Sequence, residues 1–214
     1  MTMLSEAPPV SSPRPHRGFT EVLRDGTPVL IRPVSAEDKQ LLKEGFERLS
    51  DVSRQRRCMH GVGELTAEQL VYFTEIDYRD HMAWVAVDLS QPNQPGIGIA
   101  HYMLLTGRPR CAEVAVTVVD SHQGRGLGTL LLGVLARSAV ENGIETWIAY
   151  VLTDNTPMLK LFHDLGAPAA TLEERGVLRV EIPVPRDPSV LPNTPAGKVF
   201  KAVAREVGAL SEAQ

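Results

Sequence analysis

Cysteine is scarce. The chain of 214 residues carries two, Cys58 and Cys111, with no metal-ligand spacing between them. Two reduced thiols in a cytoplasmic protein are expected, and no bound metal. Long apolar runs are missing too: none approaches the ~20 residues that span a bilayer. No membrane partner is therefore expected. There is no excess of positive charge, the formal net charge being -4. That argues against a general nucleic-acid binder, which must neutralise many phosphates. No internal repeat is visible. The opening stretch "MTMLSEAPPVSSPRPHRG" has no apolar core of the signal-peptide kind. It is rich in Pro and Ser, so residues 1 to about 17 are expected to form a disordered leader.

What is present is ordinary for a globular protein, with 43% apolar and 22% charged residues. The length suits one large domain, or one domain with tails. "TPVLIRPVS" alternates until Pro33 and reads as a first, edge strand. Ser35 is placed to cap a helix through "AEDKQLLKEGFERLS", with Asp38 three residues on. "SDVSRQRRC" reads as a basic connecting segment: Ser53, Arg54, Arg56 and Arg57 could contact an anion, and a solvated basic surface is the default reading. A second helix is expected over "TAEQLVYFTEID", opened by Thr66. Three strands follow, "HMAWVAVDL", "GIGIAHYMLL" and "CAEVAVTVV". Their connections "SQPNQP" and "TGRPR" suit antiparallel hairpins.

A helix is then predicted from about Gly128 to Asn142, stopped by Gly143. "IETWIAYVL" reads as a fifth strand, and "NTPMLKLFHDLGA" as a short helix with Pro157 in its first turn. "TLEERGVLRVEIPV" reads as a hairpin turning at Arg175-Gly176. Beyond the Pro-rich link "PRDPSVLPNTP", "AGKVFKAVAREVGAL" reads as a helix that packs on the domain or on a second copy in a homodimer. The expected fold is α/β: a mixed, mostly antiparallel central sheet flanked by helices. The expected layout is the leader 1–17, one main domain 18–186 and an appended link and helix 187–214. No regulatory module such as a cyclic-nucleotide domain fits in the rest.

Between the third of those strands and the long helix runs Gly124-Arg125-Gly126-Leu127-Gly128. Glycine leaves backbone N–H groups uncovered. At a helix N-terminus such groups, with the helix dipole, make an anion site. Arg125 would add charge at its rim. The run lacks the Lys of a P-loop, and its third glycine comes one residue too early for the Rossmann fingerprint. ATP and NAD are therefore disfavoured as ligands.

The run from Gln123 to Gly128 resembles the Q/R-x-x-G-x-G/A signature of the GNAT superfamily of acyl-CoA-dependent N-acetyltransferases. The strand before it, the leucine-rich helix after it and "DNTPMLKLFHDLGA" are similar in order and spacing, over about residues 28 to 184. Within the superfamily, "LRDGTPVLIRPVSAEDKQLL", "FTEIDYRDHMAWVAV" and "AEVAVTVVDSHQGRGLG" resemble bacterial protein lysine acetyltransferases. The resemblance implies acetyl-CoA as donor and an amine as acceptor. It implies backbone pairing of Val116 and Val118 with the pantetheine arm. It implies a pyrophosphate cradle over Gln123, Gly124, Arg125, Gly126, Leu127, Gly128 and Thr129. Asn155 matches an asparagine that contacts the cofactor arm, and reads equally as the cap of the helix opening at Thr156.

Acetyl transfer needs a neutral amine. A lysine of pKa ~10.4 costs about 4.6 kcal/mol to deprotonate at pH 7, so a positioned base is useful. Glu113 is the only charged residue in "AEVAVTVV" and matches the strand glutamate of the resembled enzymes. Burial there would raise its pKa. It also reads as a structural partner of Arg110. His81 and His101, on the preceding strands, are other bases or structural histidines, and His122 is expected to be exposed. The family often places a tyrosine acid where this chain has Phe162, which has no proton to give; Tyr150 is no obvious substitute. The expected activity is acetylation of a protein lysine. The rivals are a small-amine acetyltransferase, acting on a polyamine or aminoglycoside, and a non-catalytic acetyl-CoA-binding module.

Overall fold

The computed structural model describes residues 17–58 and 63–212, with 204–212 in backbone only. The expected leader therefore lies outside the described residues, Arg17 excepted. Eight strands form one sheet in the order β1-β2-β3-β4-β5-β6-β8-β7. They are β1 Phe19–Val22, β2 Pro28–Pro33, β3 His81–Asp88, β4 Gly96–Leu105, β5 Arg108–Val118, β6 Thr146–Leu152, β7 Ala170–Leu172 and β8 Val177–Pro183. Every neighbouring pair is antiparallel except β5 and β6. The helices are α1 Lys39–Glu47, α2 Asp51–Cys58, α3 Ala67–Thr74, α4 Leu127–Glu141, α5 Thr156–Asp164 and α6 Pro195–Glu212. The mixed, mostly antiparallel sheet matches expectation. No helix among the described residues is long and apolar enough to cross a membrane.

Two expectations fail. The strand at Pro33 is not the edge, because β1 pairs outside it, Thr20 facing Leu30. The turn between them closes through Leu23 N to Thr27 O at 2.9 Å, and Gly26 adopts φ 89° there. The basic segment after Ser50 is not a connection but α2. Its first turn is capped by Ser50, whose Oγ accepts from Ser53 N at 3.3 Å. Asp51 lies in its first turn, and Arg56 and Arg57 in its last. That arrangement of charge suits the helix dipole at both ends.

Alternate residues of β3 serve two faces of the sheet, as strand geometry dictates. Ala83 and Val85 pack with Val34 and with Leu41 and Leu42 of α1. Met82, Trp84 and Ala86 join the larger core with Leu131, Leu132 and Leu135 of α4. Trp84 Nε1 donates to Ser138 Oγ of α4 at 3.0 Å, which satisfies a buried polar pair. The C-terminal helix packs on the same domain: α6 lies along α4, and a Cβ at Gly133 would stand 3.2 Å from Val203. Phe200 and Val203 are buried there.

The parallel pair carries the site. β5 and β6 register only at Cys111–Thr146, Ala112–Trp147 and Glu113–Ile148. Beyond Glu113 the two strands part. The rest of β5, Val114 to Val118, and Ala149 to Leu152 of β6 line the opening between them.

Candidate active site

The opening is a cleft of about 1280 Å³. At one end is the glycine run. β5 passes through a short turn, Asp120–His122, and Gly126 caps α4 with φ 93°. Gly124 also has a positive φ, 74°. Both values lie where an L side chain is strained, so glycine is required for the backbone itself. The first intrahelical bond is Leu130 N to Gly126 O. The N–H groups of the preceding first turn have no helical partner and face the dipole's positive end.

Gly124, Gly126, Gly128, Gln123 and Thr129 all line the cleft, as do Val116, Val118 and Asn155. Gln123 braces the loop, its Nε2 donating to Val118 O at 3.0 Å and Ser53 Oγ at 3.2 Å. Asn155 caps α5 by accepting from Met158 N at 3.4 Å. Two members of the expected set are placed otherwise. Leu127 is 1% exposed and its side chain belongs to the core, leaving only its amide for an anion. Arg125 is not a free rim charge: its guanidinium pairs with Asp25 and donates to Ser121 O at 2.5 Å. That contact pins the β1–β2 turn to the loop. It brings Arg24 to the cleft, where a Cβ at Gly126 would meet Arg24 Nε at 3.4 Å. Arg24 was not foreseen, because a turn residue some hundred positions away carries no local signal.

Asp120 ties α2 to the same loop. Its carboxylate accepts from Ser50 N at 2.9 Å, Ser50 Oγ at 2.7 Å and Ser53 Oγ at 2.8 Å. Burial works to raise its pKa, but these hydrogen bonds outweigh it and hold the carboxyl below the usual range. His122 is buried rather than exposed, 3.5 Å from Asp88.

Glu113 stands at the other end, where β5 and β6 part. It lines the cleft and is exposed, not buried as expected. Arg110 is taken by Glu145 at 3.0 Å, so it does not hold Glu113. Around this end lie Arg57, Cys58, Leu65, Gln69 and Phe73. His81 and His101 sit behind them and do not line the cleft. Arg57 Nη2 lies 2.8 Å from His101 Nε2. An arginine can only donate, so Nε2 accepts, and its lone pair is not free to take a proton. Burial drives the His101 pKa well below the ordinary value, helped by the charges of Arg57 and His81. Burial also lowers His81, against Asp77. Both histidines read as structural. Phe162 is buried and Tyr150 is 41% exposed, and both line the cleft.

An α/β domain whose one parallel strand pair splays over a glycine-built anion loop defines a class of acyl-transfer folds. The chain belongs to the GNAT family of acetyltransferases, residues 49–167 matching it. It is 36% identical over 163 residues to the acetyltransferase Pat of Mycolicibacterium smegmatis, covering 76% of this chain and 48% of that protein. The chain thus spans about half the length of that relative. The GNAT domain of S. lividans PAT superposes with a TM-score of 0.69 at 32% identity, over 78% of this chain and 96% of that one. A Salmonella typhimurium protein solved with its cofactor acetyl-CoA shares the fold, with a TM-score of 0.59 at 20% identity, over 74% of this chain and 95% of that one.

Proposed function

We propose that the chain transfers an acetyl group from acetyl-CoA to a protein lysine side chain, with Glu113 as general base. The observation that carries this reading is the arrangement along β5. One accessible carboxylate stands where the strands part, and the anion loop opens just past the strand's other end. The stretch from Glu113 to Val118 runs about 17 Å at ~3.3 Å per residue. An extended thioester arm fits between a pyrophosphate at the loop and an amine at Glu113.

The residues present suit that donor. Backbone N–H groups of Gly124, Gly126, Leu127, Gly128 and Thr129, with Arg24, hold the pyrophosphate. The backbone of Val116 and Val118, where β5 has parted from β6, aligns the arm, although Val118 O already accepts from Gln123, and Asn155 flanks it. Thr117 Oγ1, buried and without a partner among the described residues, is a further group on this strand. When bound, the donor supplies the thioester carbonyl as electrophile. Glu113 accepts the ammonium proton of the acceptor and passes it to solvent. Phe162 offers no acid for the departing thiolate, which would take its proton from water. The catalytic unit is proposed to span 18–186, with 187–214 an appended segment.

Thiol release from acetyl-CoA is measured with lysine peptides, spermidine and an aminoglycoside, alongside thermal shift with CoA, ATP and NAD. Lysine-dependent release and stabilisation by CoA alone are expected. Release only with the small amines redirects the assignment to a small-molecule enzyme. CoA binding without release from any amine favours a non-catalytic module.

A further inference from the structure

Among the described residues, no carboxylate lies within ion-pair distance of one cation at the Glu113 end of the cleft. Arg57 closes α2, and its guanidinium lies over the Phe73 ring, 5.1 Å from the centroid. The ion-paired arginines among the described residues are Arg32, Arg79, Arg110, Arg125, Arg137 and Arg179, and Arg57 is not one of them. Its hydrogen bond to His101 meets a neutral imidazole. Burial pushes its pKa down, offset in part by the charges of Cys58, Tyr72 and Glu113. A guanidinium nonetheless stays protonated in proteins. It carries five N–H donors in a rigid fork suited to a carboxylate. Glu113 is near enough to act on it electrostatically, yet beyond ion-pair distance. A half-buried charge with no counter-ion within ion-pair distance is costly, and an incoming anion would relieve that cost.

We propose that Arg57 recognises a carboxylate carried by the acceptor beside its amine, while Glu113 receives the amine. This rests on the acetyl-transfer reading of the cleft. The two side chains form a dipole, cationic at Arg57 and anionic at Glu113. An acceptor with ammonium and carboxylate a short distance apart meets complementary charge at both ends. The carboxylate has two possible sources: an acidic residue flanking a protein lysine, or the acid group of a small amino acid. Neighbouring Arg56, which also lines the cleft, donates to Asp154 O at 3.3 Å and adds to the positive field.

The test uses two matched pairs of acceptors with the full chain. One pair is a lysine peptide with Glu beside the lysine and the same peptide with Gln. The other is an ω-amino acid and its carboxamide. In at least one pair, removing the charge is expected to raise KM about 10- to 100-fold, the range of a hydrogen bond to a charged group, with kcat little changed. Arg57→Gln should raise KM for the charged acceptor to that of the neutral one, and Arg57→Lys should restore part of the difference. A response in the peptide pair assigns the carboxylate to protein acceptors. A response only in the amino-acid pair keeps Arg57's role and removes the lysine reading. Equal KM within both pairs in the wild type overturns the inference without any variant having to fold. So does acetylation of spermidine but of none of the four. No transfer to any amine removes the acetyl-transfer reading, and the inference with it.

Discussion

Glu113 is the proposed base, and Arg110, three residues before it, is held by Glu145 rather than by Glu113. Glu113→Gln keeps nearly the same shape but cannot take a proton. Turnover is expected to fall about 10²–10⁴-fold near neutral pH, the usual worth of a general base. Thermal stability and CoA affinity should be unchanged. The deficit should narrow as pH rises, because a larger fraction of a lysine of pKa ~10.4 is already neutral. A stable Glu113→Gln protein with wild-type rates from pH 6 to 9 would remove the residue from the mechanism. His101 cannot easily inherit the role, because its Nε2 is occupied by Arg57. Glu113 was legible in the sequence, a single charge in an apolar strand. Arg24 was not, and Arg57 stood only as one of several residues of a basic segment that could meet an anion: each reaches the cleft through the placement of a separate element, and surface arginines read alike in a string of letters.

At the scale of elements, the loop-helix junction carries the proposed donor end of the site. Gly126→Asp strains a backbone at φ 93°. It also puts a carboxylate beside Arg24 and opposite the proposed pyrophosphate. Calorimetry is expected to find CoA affinity reduced at least tenfold in a variant that still melts cooperatively. Gly126→Ala separates the causes, because it keeps the strain and omits the charge. Unchanged CoA affinity in folded Gly126→Asp would move the pyrophosphate elsewhere. This junction was readable because glycine spacing and a helix start are local signals. The elements that buttress it were not. β1 is four residues long and shows no apolar alternation, FTEV, with two adjacent polar residues. Asp25 in the turn that follows it pairs with Arg125. α2 has no apolar stripe, so hydrophobic periodicity passes over it. It is held by Ser50 and Ser53 on Asp120, a contact across some seventy residues.

For the whole molecule, the buried imidazoles couple folding to pH. His81 and His101 lie under α3, where Tyr72 stacks on His81 at 4.8 Å and Phe73 meets His101 at 5.3 Å. Burial lowers both pKa values, with Asp77 opposing it at His81 and the Arg57 charge reinforcing it at His101. An imidazole that resists protonation when folded binds its proton more readily in the unfolded chain. Its contribution is therefore complete above the unfolded value of ~6.5 and is lost as pH falls from there towards the folded value. Each histidine adds at most about 1.4 kcal/mol per pH unit within that window. Asp38, Asp88 and Asp120 act in a separate window. Burial works against each of them, but hydrogen bonds, joined by Arg32 at Asp38 and His122 at Asp88, hold each carboxyl below the usual range. Their contribution is present above the unfolded carboxylate range and disappears only in stronger acid. The melting temperature is thus expected to fall between pH 7.5 and 5.5 through the histidines alone. His81→Gln, which removes one titrating ring, should flatten that slope, while Asp38→Asn should lower the melting temperature throughout this range without changing the slope, and should weaken the further fall below about pH 4. A wild-type melting temperature that stays level from pH 7.5 to 5.5 would mean that these imidazoles titrate alike in the folded and unfolded chain, contrary to their burial.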